Sequence, residues 1–408
     1  MVDGVANPPD RKDSALRTLT GISIAHWVSH FYMLVLPMLF PFLKQQLGVG
    51  FVELGFALTV FAVISGLTQA PIGYLVDRVG ARLILMAGLG LGGLAFLLLA
   101  VHLSYVNLIA CALLLGLANS VYHPADYAIL AVHMDERRMG RAFSVHTFAG
   151  FLGGAVAPAI VAALLIGFGG RGALIIVGMV GPLVALLLAA MRIPDASAAS
   201  SDSRGSAPAS MLTPAMLVLT AFFLLLSMST SGISTFGVVA LMEGYGSSLS
   251  SANLALTAFL GASAAGVLAG GWLADRTARH GQLAAICFAV NALIVVMVAA
   301  TSLPPPPLVA VLAAAGFLSG VIAPSRDMMV RNAAPPGAAG RAFGIVSTGF
   351  NIGGIVGPLL FGWIMDQHMP HWVFGASAVF MTLTVLLALV PERSASDRDK
   401  RAVGILPS

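Results

Sequence analysis

Long apolar stretches separated by short polar ones run through almost the whole chain. Each apolar stretch is about 20 residues long, the length a helix needs to cross a hydrocarbon core about 30 Å thick. We count twelve of them, which predicts an all-α membrane protein with twelve transmembrane helices. The predicted spans are 19–43, 51–76, 82–102, 106–132, 141–166, 172–191, 214–241, 250–274, 281–302, 308–332, 340–366 and 372–390.

One interior stretch, 192–213, is long, polar and rich in Ser, Ala and Pro. This composition is typical of a flexible linker. The predicted domains are therefore a six-helix bundle over 19–191, a cytoplasmic linker, and a second six-helix bundle over 214–390. The tails 1–18 and 391–408 are polar, and 1–18 lacks the short apolar core of a removable signal peptide.

The two halves of the chain repeat each other. The tetrapeptide GRAF occurs at 140–143 and again at 340–343, and Pro158 recurs as Pro358 at the same shift of 200 residues. Repeats of the same orientation are related by an axis along the membrane normal, and a central cavity forms between them. The sequence thus predicts two pseudo-symmetric six-helix bundles.

Composition excludes several classes of protein. Charged residues make up 9% of the chain and hydrophobic residues 58%, whereas about 25% of a soluble protein is charged. A cytosolic enzyme or a nucleic-acid binder is therefore excluded, and the net charge of +4 is too small for nucleic-acid binding. Cys111 and Cys287 lie inside apolar stretches, which favours small buried side chains over a disulfide or metal site.

The basic residues predict the orientation. If both termini are cytoplasmic, eighteen of the 21 Lys and Arg residues lie on the cytoplasmic side, and only Lys44 and Arg171 lie outside. Basic residues resist translocation, so we expect this orientation in the cell inner (plasma) membrane. The remaining basic residue, Arg326, lies within a span.

A charged motif follows the second span and recurs after the eighth. It reads GYLVDRVGAR from Gly73 to Arg82 and GWLADRTARH from Gly271 to His280. Here we expect Gly73 to let helices approach, Asp77 to meet a helix N-terminus or an arginine, and Arg78 and Arg82 to remain in water. The alternative is ordinary topology-setting charge. The predicted gating residues are Gly73, Asp77, Arg78, Arg82, Asp275 and Arg276.

This motif resembles the signature loop of the major facilitator superfamily. The first copy is complete, and the second lacks the second glycine of the pattern. The resemblance extends over essentially the whole chain. It implies the major facilitator fold and alternating access of two bundles, with the charged loops latching the cytoplasmic ends when the cavity opens outward.

Within that superfamily, GLANSVYHPADYAIL from Gly116 to Leu130 is similar to the fosmidomycin-resistance-type exporters. The fifth span partly matches the glycine-rich motif of proton antiporters, although Ala157 replaces the glycine before Pro158. Ala112 stands where many drug:proton antiporters carry an embedded arginine. The resemblance to the exporters implies export of a drug or metabolite.

Three ionisable side chains lie at membrane depth, where such groups usually face a cavity or a partner. They are Asp126 on the fourth span, and Arg326 and Asp327 on the tenth. The repeat places Asp126 and Arg326 at equivalent depth on opposite halves. They could attract each other, Arg326 could bind an anionic substrate while Asp126 takes a proton, or a local ion pair could stabilise the helix ends.

Histidines cluster near Asp126 in the predicted helices. His26 and His30 are one turn apart on the first span, and His123 is three residues before Asp126, so each pair shares a helix face. Because histidine titrates near neutral pH, we predict proton coupling by Asp126, His123, His30 and His26. Each histidine could instead be a packed interior residue, and we set His146 aside as a cavity residue.

Polar and aromatic residues near the same depth are the candidates for substrate contact. Hydroxyl groups in the seventh and eleventh spans are expected mainly to bond backbone carbonyls or neighbouring helices. The predicted substrate-binding residues are Arg326, Asp327, Asn119, Tyr122, Tyr32 and Asn351.

The sequence favours a secondary active transporter working by alternating access, with proton-coupled export of a small drug or metabolite. The first alternative is proton-coupled uptake of a small organic anion or nutrient. The second is a membrane enzyme with a His/Asp metal site. No ATP-binding motif is found, and we expect a monomer in the lipid bilayer that binds a small-molecule substrate and protons, with no cofactor, no metal, no catalytic residue and no nucleic acid.

The orientation can be tested with single cysteines at Ser203 and Ser247. We expect an impermeant thiol reagent to label the cysteine at 247 in intact cells and to leave the one at 203 unlabelled until the membrane is opened. Labelling at 203 but not at 247 would overturn the predicted topology.

Overall fold

A computed structural model describes residues 8–134, 139–191, 193, 213–334 and 339–402. Within these ranges all regular structure is helical. The α-helices are α1 (Pro8–Met38), α2 (Phe40–Leu47), α3 (Phe51–Val79), α4 (Ala81–Val101), α5 (Tyr105–His133), α6 (Met139–Met191), α7 (Pro214–Ser231), α8 (Gly237–Tyr245), α9 (Leu249–Ala274), α10 (His280–Ala300), α11 (Pro305–Ala333), α12 (Ala339–Asp366) and α13 (His371–Ala402).

The prediction of twelve spans is confirmed. In the described ranges, eleven helical stretches are long and apolar enough to cross a membrane, and one of them, Ala142–Met191, is 50 residues long. At 1.5 Å per residue that length is more than twice what one crossing needs. The backbone leaves the helical region at Gly169, where φ is 69° and ψ is 173°, so this stretch contains the fifth and sixth spans.

The chain divides into two compact units. The first comprises Met1–Val49 and Val60–Arg204, and the second comprises Gly50–Thr59 and Gly205–Ser408. Apart from residues 193 and 213, the predicted linker, 192–213, lies outside the described residues. The first residues of α3 group with the second unit, which the division of the sequence into two halves does not anticipate.

Glycines let helices of the first unit approach closely. A Cβ on Gly93 would meet the backbone of Gly178 and the ring of Pro182. The absence of a side chain at Gly93 therefore lets α4 pack against the second half of α6. A Cβ on Gly153 would meet the carbonyl of Trp27, so the glycine lets α6 pack against α1. Small residues at these positions are typical of membrane helices, since no hydrophobic force acts between helices in lipid and packing has to replace it.

The second unit uses the same device where α9 meets α11. A Cβ on Gly266, Gly316 or Gly320 would strike backbone of the facing helix. The seventh span differs from a regular helix, because a π-helical turn, Gly232–Phe236, separates α7 from α8. Ser234 in this turn donates to the carbonyl of Thr230 at 2.9 Å, as expected for a hydroxyl that bonds its own helix.

The two charged motifs form different loops. In the first, α3 and α4 are joined by Gly80 alone, which has φ of 106°, a value that strongly favours glycine. In the second, Ala278 stands at the corresponding position, and α9 ends at Ala274, leaving a longer connection before His280.

Two expectations about this motif are wrong. A Cβ on Gly73 would meet no atom of the described residues within 4 Å, so Gly73 does not mark a close helix approach among them. Arg82 also differs from expectation: it is partly buried, and its Nη2 donates to the carbonyl of Ala189 at 2.9 Å.

The start of α3 is capped from a distant part of the chain, within the second unit. The two carboxylate oxygens of Asp366, at the end of α12, accept hydrogen bonds from the backbone nitrogens of Phe51 at 2.7 Å and Val52 at 2.8 Å. A helix N-terminus carries partial positive charge and unpaired N–H groups. Thr59 adds a third link by donating to the carbonyl of Ile355 at 2.8 Å.

We expect Asp366→Ala to loosen the first turn of α3. Loss of an N-cap costs about 0.5–2 kcal/mol, so the amides of Phe51 and Val52 should exchange with deuterium about two- to thirtyfold faster. Ser248→Ala is a matched control, since Ser248 accepts from the amide of Ser251 at the start of α9 and its loss should affect that helix only. Unchanged exchange at Phe51 and Val52 in Asp366→Ala would contradict the capping role.

Candidate functional site

A group of histidines surrounds one carboxylate inside the first unit. α1 contributes His26 and His30, whose ring centroids lie 4.7 Å apart, as expected one turn apart on a helix. α5 contributes His123 and Asp126, and the His123 ring lies 5.4 Å from that of His26. The structure therefore brings together all four residues predicted for proton coupling.

Asp126 is completely buried, with no exposed side-chain surface. Its Oδ2 lies 2.9 Å from Nε2 of His146 and 3.6 Å from Nδ1 of His26. Only the first of these distances is a hydrogen bond. Both histidines are themselves buried, so the carboxylate lies among imidazoles and away from water.

His146, on α6, is the member that the sequence analysis set aside. The signal for including it lies in the spacing about the connection between α5 and α6. Asp126 is seven residues before the end of α5 at His133, and His146 is seven residues after the start of α6 at Met139. Because two antiparallel neighbours joined by a short connection run back along each other, equal spacing from the connection places both side chains at the same depth.

Gly150 makes room for the cluster. A Cβ at this position would lie 2.6 Å from Cδ2 and 2.7 Å from Nε2 of His26, and 2.9 Å from Cδ2 of His30. The rings of His26 and His146 stack with centroids 3.9 Å apart and planes inclined by 20°. Close packing of α6 on α1 thus depends on the absence of a side chain at Gly150.

Several polar atoms of the cluster have no hydrogen-bond partner among the described residues. They are the Nδ1 atoms of His26, His123 and His146 and the Oδ1 of Asp126. Buried polar groups are normally paired. A cluster with this much unused bonding capacity can accept a proton or a ligand atom without breaking other contacts.

The ligand types in this cluster, two histidines and an aspartate, are those of a metal site. Ligand atoms of His26, Asp126 and His146 lie within 4.8 Å of one another. However, the rings of His26 and His146 are stacked and nearly parallel, so their in-plane lone pairs do not converge on one point, as coordination by both would require. The geometry suits a shared proton better than a coordinated ion.

Two of the predicted substrate-binding residues tie helices of the first unit together, and a third is buried beside them. Tyr32 donates to the carbonyl of Val177 at 3.0 Å and accepts from the amide of Gly181 at 2.6 Å, which links α1 to α6. Asn119 donates to the hydroxyl of Ser65 at 2.8 Å. Tyr122 is buried and its hydroxyl has no partner in the described part of the chain. All three line one small hollow.

The other predicted substrate-binding residues lie in the second unit. Nε of Arg326 donates to Oδ1 of Asp327 at 2.8 Å, and its guanidinium carbon lies 5.2 Å from the ring of Phe223 and 5.3 Å from that of Phe350. Asn351 is exposed. Arg326 and Asp126 therefore each have a charged or titratable partner within their own unit, which agrees with the local ion pair considered for Arg326.

Comparison with known proteins decides the family. The sequence model of the Major Facilitator Superfamily matches residues 22–242 and 217–405. The chain belongs to this superfamily. It is 23% identical to the fosmidomycin resistance protein of Escherichia coli (strain K12), over 97% of this chain and 98% of that protein. It is 26% identical to the MFS-type transporter YfnC of Bacillus subtilis (strain 168), over 91% of each.

Solved structures of other superfamily transporters have the same fold. A bacterial homologue of the human lysosomal transporter Spinster, in an inward-facing and occupied conformation, matches with a TM-score of 0.79 and 15% identity, over 92% of this chain and 96% of that one. The nucleoside transporter NupG matches with a TM-score of 0.76 and 16% identity, over 92% and 98%. At these identities the likeness shows the fold alone.

Membership of the Major Facilitator Superfamily confirms the predicted fold and the resemblance of the charged loops. The protein is a secondary transporter that acts within the membrane on a small-molecule substrate, and it is not an enzyme. The alternative of a membrane metalloenzyme therefore falls away.

The other predicted gating residues, Asp77, Arg78, Asp275 and Arg276, are exposed. Asp77 and Arg78 lie at the end of α3, and among the described residues Asp77 has no ion pair or hydrogen bond. Asp275 follows α9 and is also exposed, while the guanidinium of Arg276 lies 3.6 Å from the centre of the Trp272 ring. Among the described residues, neither aspartate side chain has a partner. The proposed role of these charged loops in holding the cytoplasmic ends together therefore stays a prediction.

We expect Gly150→Ala to destabilise the protein, because the new methyl group would displace the rings of His26 and His30. Overpacking of this kind costs about 1–3 kcal/mol. Gly154→Ala is the matched control on the same helix, since its Cβ would lie 3.6 Å from the nearest atom, on Leu34. Thermal unfolding of the purified variants in detergent measures both, and equal unfolding temperatures would contradict the packing role of Gly150.

Proposed function

We propose that this transporter couples export of a small drug or metabolite to proton entry by alternating access, and that Asp126 carries the proton. The observation that carries the proposal is the contact of one fully buried carboxylate with histidines from two other helices, α1 and α6. Ionisable groups inside membrane proteins are costly and usually serve transport. Histidine is the side chain whose charge most readily changes near neutral pH.

Export is favoured by the relatives. The match to a fosmidomycin resistance protein extends over nearly the full length of both chains, and export is the simplest way for a transporter to confer resistance. We place the protein as a monomer in the cell inner membrane, with both termini cytoplasmic. The support for this orientation is the excess of basic residues in the loops and tails it assigns to the cytoplasm.

The charged loops are proposed to control opening at the cytoplasmic ends. Asp77 and Asp275 are exposed at the ends of α3 and α9, where a carboxylate can bind and release partners at little cost. Arg78 and Arg276 supply the opposite charge. Gly73 belongs to the same motif, but we assign it no contact, since no atom of the described residues lies within 4 Å of a Cβ at this position.

Uptake of a small organic anion is the second candidate. Arg326 favours it, because an arginine at membrane depth with aromatic rings on two sides could hold a carboxylate or phosphate group. The hydrogen bond from Arg326 to Asp327 counts against it, since the positive charge already has a partner in the adjacent residue.

A flux screen in proteoliposomes tests both candidates. The probes are fosmidomycin, a panel of other drugs and a panel of organic anions, each followed with and without an imposed pH gradient. For any transported probe we expect Asp126→Asn to reduce gradient-driven flux to the level of empty liposomes while exchange without a gradient continues, since only the titration is lost.

Glu243→Gln is the matched control, at an exposed acidic residue of α8 in the other unit, and it should retain gradient-driven flux. Gradient-driven flux that survives in Asp126→Asn would rule out Asp126 as the proton carrier. Accumulation of organic anions, lost in Arg326→Ala and retained in Asp126→Asn, would support the second candidate.

A further inference from the structure

We propose that Asp126 and His146 together form a site for one exchangeable proton, in which His146 is the residue that shares the proton with the carboxylate. The proposal rests on the proposed function and identifies the chemistry of that same site. It assigns to His146 a role that neither the sequence pattern nor the comparisons with relatives give it.

In the described part of the chain, histidines and tyrosines surround the Asp126 carboxylate. The titratable groups facing it from the packed helices are His26 and His30 on α1, His123, Tyr122 and Tyr127 on α5, and His146 on α6. The neighbouring α4 brings only Arg82, which bonds the carbonyl of Ala189. Among the described residues, no lysine or arginine pairs with Asp126.

The charges of these groups determine how many protons the site can take up. With all histidines neutral and Asp126 ionised, the cluster carries one uncompensated negative charge in a buried place, which is costly. One added proton makes the cluster neutral, whether it resides on the carboxylate or on an imidazole. A second proton would leave a buried positive charge, so the cluster accepts one proton and then saturates.

Geometry selects His146 among the four histidines. Its Nε2 lies 2.9 Å from Oδ2 of Asp126, within hydrogen-bond range, whereas Nδ1 of His26 lies 3.6 Å from the same oxygen. A proton between Nε2 and Oδ2 can move from one to the other without rearrangement. His30 and His123 have neither a hydrogen bond nor an ion pair with Asp126 in the part of the chain described.

The second nitrogen of His146 supports a transfer role. Its Nδ1 is buried and has no hydrogen-bond partner among described residues, and the same holds for Nδ1 of His26, whose ring is stacked on it. A histidine with a purely structural role normally has both nitrogens paired. A proton that enters or leaves the Asp126–His146 pair needs such an unoccupied nitrogen.

Proton uptake by purified protein in nanodiscs tests the proposal without a transported substrate. A pH-indicator dye counts the protons taken up when the pH falls from about 8 to about 5, and infrared difference spectra follow the carboxyl group. Wild type should take up one proton more than Asp126→Asn. A difference of two protons, or none, would overturn the one-proton site.

His146→Gln tests the assignment of the partner. The glutamine amide can still donate to ionised Asp126, so the unloaded site is preserved, but it cannot hold a proton, so the loaded site loses its sharing partner. The midpoint of uptake should therefore fall by roughly one pH unit, a tenfold loss of proton affinity. His280→Gln, at a buried histidine of α10 in the second unit, is the matched control and should leave the midpoint in place.

If His146→Gln does not fold, the shorter His146→Asn, which cannot reach Asp126, takes the hydrogen-bond donor away from the ionised carboxylate and is expected to raise the midpoint instead. An unchanged midpoint in the folded His146 variant would overturn the assignment, and so would tight binding of Zn²⁺ by wild type that His146→Gln abolishes. If the titrations behave as expected but no probe is moved by a pH gradient, the proton site stands and the proposed function fails.

Discussion

A carboxylate inside a helix bundle that faces lipid needs neighbours that can neutralise it, and the first unit is arranged around that need. Asp126 obtains those neighbours from two other helices, α1 and α6, and among the described residues none of them carries a permanent charge. The glycines at 150 and 153 bring α6 close enough to α1 for His146 and His26 to stack beside the carboxylate. The chemistry of the site thus depends on the close packing of α6 against α1.

The two halves repeat each other in sequence, but they balance a charge at membrane depth in different ways. The pair Asp126–Tyr127 in the first half corresponds to Arg326–Asp327 in the second, at a shift of 200 residues. In the first half the charge is balanced by side chains from other helices, and in the second by the adjacent residue of the same helix. Only the first arrangement makes the state of the charge depend on how helices pack.

Hydrophobicity and the repeat predict the fold almost completely, because in lipid every span has to be helical and about the same length. They also predict that His26, His30, His123 and Asp126 gather, since helical spacing fixes which residues share a face. His146 was missed because its place depends on how α5 and α6 run past each other. The surroundings of Gly73 and Arg82 were mistaken because a motif specifies residue types but not the neighbours that the rest of the chain supplies.

The third helix extends across the division between the two units, with residues 50–59 grouped with the second unit and 60–79 with the first. Asp366, Thr59 and the glycine contacts between α3 and α12 hold its first part. The hydrogen bonds at Phe51, Val52 and Thr59 therefore fix only the first part of α3. Any change in the direction of this first part would have to break those bonds, each of which contributes about 1 kcal/mol.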